Sequence, residues 1–218
     1  MEKRELADHA LRIQTGGYSV VPAVFTPAEC AEARQELERI LAEERDPTGA
    51  ELGPAGGWAY SLMNKARIFE RTYGVPPLLR LIRHFLGDDC VLSSVQGRVV
   101  LPGAPAQSMH YDGSYTGPFL SSAPADEGRR NTACVFGFNV IFCLSPFTRA
   151  NGATRVVPGS HRLASTHIPD NHPPGEVVVE AEEGSAIVFD IAIWHGASAH
   201  TGTDSRYAVM TPWRRSWV

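Results

Sequence analysis

The sequence lacks the features that mark several specialised classes of protein. No stretch is rich in lysine and arginine, and the formal net charge is −4. That excludes a nucleic-acid binder held by phosphate neutralisation; Arg129-Arg130 and Arg214-Arg215 are isolated pairs. No apolar run approaches the roughly 20 residues a membrane helix needs. The charged opening MEKRELADHALRIQ carries no apolar stretch ahead of a small-residue cleavage site. Together these absences predict a cytoplasmic protein with no membrane partner. Cys30, Cys90, Cys134 and Cys143 show no CxxC or zinc-like spacing and read as reduced, partly buried thiols. There is also no internal repeat, low-complexity segment or linker, so residues 1–218 are expected to form a single domain.

What is present has an order to it. MEKRELADHALRIQ looks helical, and GYSVVPAVF is strand-like. Thr26-Pro27-Ala28-Glu29 carries a helix start, with threonine at the N-cap, proline at the first helical position and glutamate three residues after the cap. The helix that follows has an apolar stripe of Ala31, Leu37, Ile40 and Leu41. A further helix is predicted over PPLLRLIRHFL, stopped by Gly87. From about residue 89 the pattern changes to short β-branched or aromatic runs separated by Gly, Pro and Asn clusters. The fold class is therefore α+β and mainly β: flanking N-terminal helices over about 1–88, then a jelly-roll or cupin-like barrel over about 89–213. GSYTGPFLSSAPADEGRRN is the longest stretch without strand character, a length common in lids and substrate-binding loops.

Among the runs, QSMHYD places His110 and Asp112 two residues apart, so both face one side of an extended strand. An HxD pair alone is a weak signal, and any single histidine has many ordinary hydrogen-bonding uses. The companion is SAIVFDIAIWHGASAHTGTDSRYAVM, where an apolar strand from Ala186 to Ile193 delivers His195 and Arg206 opens another strand. Two histidines and a carboxylate form a facial triad with open positions, suited to non-haem Fe(II) oxygen chemistry. A nearby guanidinium suits a carboxylate by paired, charge-assisted hydrogen bonds.

PGAPAQSMHYD, NGATRVVPGSHRL, GSAIVFDIAIWHGA and SRYAV occur in the order and spacing of a known family. Over roughly residues 16–213 the chain resembles the phytanoyl-CoA dioxygenase-like group of Fe(II)/2-oxoglutarate-dependent oxygenases. The resemblance implies a double-stranded β-helix core with flanking helices, in agreement with the pattern above. It implies Fe(II) held by His110, Asp112 and His195, 2-oxoglutarate as cosubstrate, O2 as oxidant and ascorbate as an accessory reductant. Arg206 matches the arginine that pairs with the distal carboxylate of the keto acid. Gln107 and Thr154 match residues that contact this cosubstrate in related natural-product oxygenases, and Gln96 is a further amide within reach. Asp112 matches the carboxylate that related halogenases lack, which favours hydroxylation, desaturation or rearrangement over halogenation. His161, in PGSHR, belongs to a turn in the family pattern and is left out of the metal site. His200 stands where relatives often carry asparagine.

The substrate implied is a small organic molecule, such as a natural-product intermediate. Trp58, Tyr60, Tyr111, Tyr115 and Phe119 are the candidate substrate-binding residues, with Met63, Trp194 and Trp213 as further apolar candidates. For any one of them core packing is the commoner role, since aromatics supply much of a core's buried area. Arg155 and Arg67 could meet an acidic substrate group or be salt-bridged. Two other readings remain open: a cupin-like metal enzyme that uses no keto acid, and a silent barrel that binds a ligand without turnover.

Overall fold

The computed structural model of the chain describes residues 1–43, 50–53, 55–112, 135–163, 168 and 170–218. Three helices lead: α1 (Lys3–Gly16), α2 (Pro27–Glu43) and α3 (Pro76–Leu86). The start of α2 is a closed capping box. The Glu29 amide donates to Thr26 Oγ1 at 3.2 Å, and Glu29 Oε2 accepts from the Thr26 amide at 2.8 Å. The buried stripe of α2 is Cys30, Ala33, Leu37, Ile40 and Leu41 rather than one including Ala31, which is only half-buried. α3 ends at Gly87.

The strands form two sheets. The larger contains β1 (Tyr18–Val21), β2 (Ala50–Gly53), β3 (Gly56–Ala59), β4 (Val91–Leu92), β5 (Gln96–Val100), β6 (Gly137–Cys143), β9 (Ala186–Asp190) and β11 (Arg206–Arg214). Its order is β1-β9-β6-β11-β5-β3-β2, with β4 also paired to β11. The smaller sheet has the order β10-β7-β8, from β7 (Thr154–Val156), β8 (Val177–Val178) and β10 (His195–Ala197). Strands from the helical N-terminal part thus extend the large sheet at both edges. The hairpin β2–β3 and a 3-10 helix at Arg67–Tyr73 were not foreseen from the sequence.

Period two on the central strands sorts residues between two layers. Phe138, Val140 and Phe142 of β6 pack towards the helices, in one core with Leu37, Ile40, Phe69 and Leu81. Ile141 and Cys143 point the other way, into a second core between the sheets with Phe147, Val156 and Phe189. Gly97 of β5 is required by this packing: a Cβ there would lie 2.1 Å from Leu37 Cδ2 of α2. On β11 the same alternation turns Val209 and Trp213 to the helices and Ala208 to the space between the sheets. Arg206 shares the inward parity with Ala208.

The run expected as one strand from Ala186 to Ile193 is two elements. β9 stops at Asp190, whose carboxylate accepts a hydrogen bond from the Ala192 amide at 2.8 Å, and the chain turns. It crosses from the large sheet to the small one before His195 begins β10.

Candidate metal centre and cofactor cavity

The segment Gln107–Asp112 is not a full strand, but it docks antiparallel beside β10. His110 and His195 exchange two backbone hydrogen bonds, at 2.8 and 2.7 Å, and the Asp112 amide donates to Ile191 O at 2.8 Å. Gly196 makes the approach possible, since a Cβ there would stand 3.0 Å from Gln107 O and 3.2 Å from Ser108 O. The pairing brings both imidazoles together, with ring centroids 4.3 Å apart.

The ligand atoms of His110, Asp112 and His195 all lie within 4.8 Å of one another. His195 Nε2 is 3.4 Å from Asp112 Oδ2, and His110 Nε2 is 3.7 Å from Asp112 Oδ1. Both separations exceed a normal hydrogen bond and suit three atoms that share a cation about 2.1 Å from each. Each histidine uses its other nitrogen on the backbone: Nδ1 of His110 lies 2.8 Å from Ser108 O, and Nδ1 of His195 lies 3.0 Å from Ile193 O. A neutral imidazole with Nδ1–H so engaged leaves the Nε2 lone pair for a metal. Asn139, the one polar side chain among its neighbours on β6, donates from Nδ2 to Asp112 Oδ2 and fixes that carboxylate. These donors fit a ferrous ion.

The triad opens into a cavity of about 600 Å³ between the sheets. Gln96, Gln107, Thr154 and Arg206 line the same space, as do Trp58, Ile141, Phe189 and Met210. Arg206 is 5% exposed. Its Nη1 donates to Gly152 O, its guanidinium stands 4.5 Å over the Phe147 ring, and its Nε has no hydrogen-bond partner among the described residues. Burial, with Arg98 adding repulsion, pulls its pKa down to about 10. A buried cation with an orphaned donor beside a metal site fits an anionic ligand such as a keto-acid carboxylate.

Several sequence-based candidates lie elsewhere. Tyr111 is a correction: the alternation that turns His110 and Asp112 inward turns Tyr111 outward, into a cluster with Met109, Val157 and Trp194. Tyr60 is a second. It follows the end of β3 and stacks on Trp58, centroids 6.2 Å apart, without lining the cavity among the described residues. Met63 is exposed, Trp213 is in the helix-side core and Arg67 is exposed. Tyr115 and Phe119 fall outside the described residues. Arg155 is 2% exposed and bonded within the protein, so it is not offered to a substrate. His161 sits in a 3-10 turn with Nε2 3.4 Å from Gln14 O, away from the triad. His200 holds its own loop, with Nε2 2.8 Å from Asp204 O. Sequence reasoning missed Asn139, Arg98, Phe189 and Met210. The lone asparagine in FGFNVIFC was the signal for the first. Alternation along strands whose pairing is known supplies the others.

A family model, "Phytanoyl-CoA dioxygenase (PhyH)", matches residues 13–208. The chain belongs to the phytanoyl-CoA dioxygenase family. Among curated relatives of this family member, "Dioxygenase af480" of Aspergillus fumigatus is 27% identical over 212 residues, covering 94% of this chain and 65% of the relative. "Fe(II)/2-oxoglutarate-dependent dioxygenase nvfF" of Aspergillus novofumigatus is 34% identical over 204 residues, covering 88% and 65%. The chain therefore spans just under two thirds of the length of either relative. Among solved structures, the epimerase SnoN, described in complex with Fe3+, alpha ketoglutarate and nogalamycin RO, superposes with a TM-score of 0.77 at 19% identity, covering 99% of this chain and 85% of SnoN. The expected double-stranded β-helix is thus the fold of this family member. Among the described residues, no helix is long and apolar enough to cross a membrane.

Two partly or fully desolvated histidines give the metal-free chain a pH dependence. His9, whose Nδ1 lies 2.8 Å from Ser19 Oγ, is pulled below the ordinary imidazole range by burial and then by Arg12. His110 is pulled down by burial and then by facing His195. A histidine with a lowered folded pKa takes up a proton more readily when unfolded. Its stability contribution is therefore intact above the unfolded value, near 6.5, and lost as the pH falls below it. Asp112 is also held low, since burial opposes its charge but the nearby His195 and His110 outweigh that, and its contribution is lost only as the pH falls below about 3.8, outside this interval. The melting temperature of metal-free protein should fall from pH 7 to pH 5, and His9→Asn should flatten part of that fall. A melting temperature that stays level or rises over this interval contradicts these assignments.

Proposed function

We propose that this chain is an Fe(II)- and 2-oxoglutarate-dependent oxygenase that oxidises an unactivated C–H bond of a small organic molecule, a natural-product intermediate. The reading also treats the helical part, about 1–88, and the core, about 89–213, as one catalytic unit. The observation that carries it is the burial of Arg206, a cation with no carboxylate partner among the described residues, in the cavity that contains the His110–Asp112–His195 triad. A metal enzyme without a keto acid leaves the distal-carboxylate role of that guanidinium unfilled, and a silent barrel leaves both features without a shared purpose. The names of the relatives support the same reading.

In this proposal iron and the keto acid, when bound, supply the oxidising power: O2 is consumed, 2-oxoglutarate becomes succinate and CO2, and a substrate C–H bond is oxidised. The chain's residues bind and orient. His110, His195 and Asp112 would hold the metal by three ligand atoms and leave other positions for ligands. Arg206 receives the distal carboxylate of the keto acid, and Thr154, Gln107 and Gln96 offer hydrogen bonds along the cavity. Phe189, Ile141 and Met210 give the cavity an apolar lining that limits water at the reacting centre, and Trp58 lines the same cavity. Asp112 fills the position that chloride would need, which favours oxygenation or a related oxidation over halogenation.

The test is succinate formation with Fe(II), 2-oxoglutarate and ascorbate, with and without a library of small metabolites. Expected is Fe(II)-dependent succinate that rises with one class of compound. No succinate under any condition, together with no keto-acid binding, would overturn the proposal.

A further inference from the structure

The ligand segment Gln107–Asp112 lies at the outer edge of the small sheet, and on its far side no strand pairs with it among the described residues. Its backbone groups that β10 does not use must find partners elsewhere. Two of them go to side chains: the Met109 amide donates to Asn171 Oδ1 at 2.7 Å, and Gln107 O accepts from Arg155 Nη2 at 2.7 Å. Both contacts lie just N-terminal to His110. Arg155 stands on β7 opposite Gly196 of β10, and its side chain reaches the ligand segment beyond that strand. It is anchored on the way. Nη1 donates to Asn171 O at 2.6 Å and to Glu176 Oε2 at 2.8 Å, Nη2 reaches Asn171 Oδ1 at 3.2 Å, and Nε reaches Ala197 O at 3.4 Å. One guanidinium thus ties together the ligand segment, the strand that carries His195 and the Asn171–Glu176 turn.

We infer that Arg155 and Asn171 form a positioning clamp that holds the Gln107–Met109 backbone, and through it the His110 imidazole, in register with β10. The inference rests on the proposed reading of His110 as a metal ligand. A single edge segment held only by β10 can shift or fray, and a metal site loses affinity when one ligand wanders from its place. The clamp removes that freedom without touching the metal. Arg155 and Asn171 are positioning residues, because neither one lines the cavity among the described residues.

The experiment is an anaerobic Fe(II) titration of full-length wild type, Asn171→Ala and Asn171→Asp, with melting temperatures of the metal-free proteins alongside. Asn171 is exposed, so its alanine variant should stay folded and melt only somewhat below wild type, reflecting the lost hydrogen bond to the Met109 amide. It should nevertheless bind Fe(II) about tenfold more weakly, the lower end of the losses seen when groups orienting a ligand are removed. Asn171→Asp keeps an acceptor for the Met109 amide and should recover most of the affinity. Arg155→Lys keeps the charge but not the fork, and should also weaken Fe(II) binding. The inference is overturned if Asn171→Ala binds Fe(II) as tightly as wild type, or if only its melting temperature changes. Failure of the underlying metal-site reading would look different: His195→Ala would then bind Fe(II) as tightly as wild type.

Discussion

Replacing His195 or Asp112 with alanine is expected to abolish Fe(II)-dependent turnover of the keto acid while leaving the chain folded. Each change removes one of three ligand atoms whose mutual placement is the basis of the metal-site assignment. The remaining two would hold a ferrous ion less firmly, and in Asp112→Ala the vacated position falls to water or chloride, which does not support the same turnover. The fold should survive because backbone, not imidazole, makes the pairing between the ligand segment and β10. Removing the Asp112 carboxylate also frees Asn139 Nδ2, which can turn to water in the cavity. Circular dichroism with a succinate assay measures both parts. Wild-type succinate from either variant would mean that the iron is held elsewhere.

Arg206→Ala is expected to weaken 2-oxoglutarate binding by about 2–3 kcal/mol, roughly thirtyfold to more than a hundredfold, the cost of losing a charge-assisted pair in a buried site. Iron affinity without keto acid should change little, because Arg206 is not among the ligand cluster. Arg206→Lys should fall between the two, since an ammonium keeps the charge but not the planar fork. Calorimetry of keto-acid binding to the metal-loaded, oxygen-free protein separates the three. An unchanged affinity in Arg206→Ala would move the carboxylate-binding role to another residue.

The parts of the site written in local pattern were legible from the sequence. Period two puts His110 and Asp112 on one face, and a strand opening at Arg206 puts that residue on a defined side of the sheet. The capping box at Thr26 and Glu29 is equally local, and the structure closes it as read. What was not legible depends on pairing between distant segments. Asn139 reaches Asp112 only because β6 lies beside β9, to whose far end the Asp112 amide is bonded. The hairpin β2–β3 gains its place by pairing with β5, some forty residues on. Whether Arg155 meets a substrate or a salt-bridge partner was open in the sequence because its partners lie at Gln107, Asn171 and Glu176, and the salt bridge is what the structure shows. Tyr111 is the instructive exception. The alternation that identified its two neighbours already assigned it to the opposite face.

The most direct test of the account is an anaerobic titration of the iron-loaded protein with 2-oxoglutarate, followed in the visible spectrum. Wild type should show a saturable charge-transfer band, absent in His195→Ala and appearing in Arg206→Ala only at much higher keto-acid concentration. A wild-type protein that shows no band, and no thermal shift that depends on the keto acid, would contradict the account.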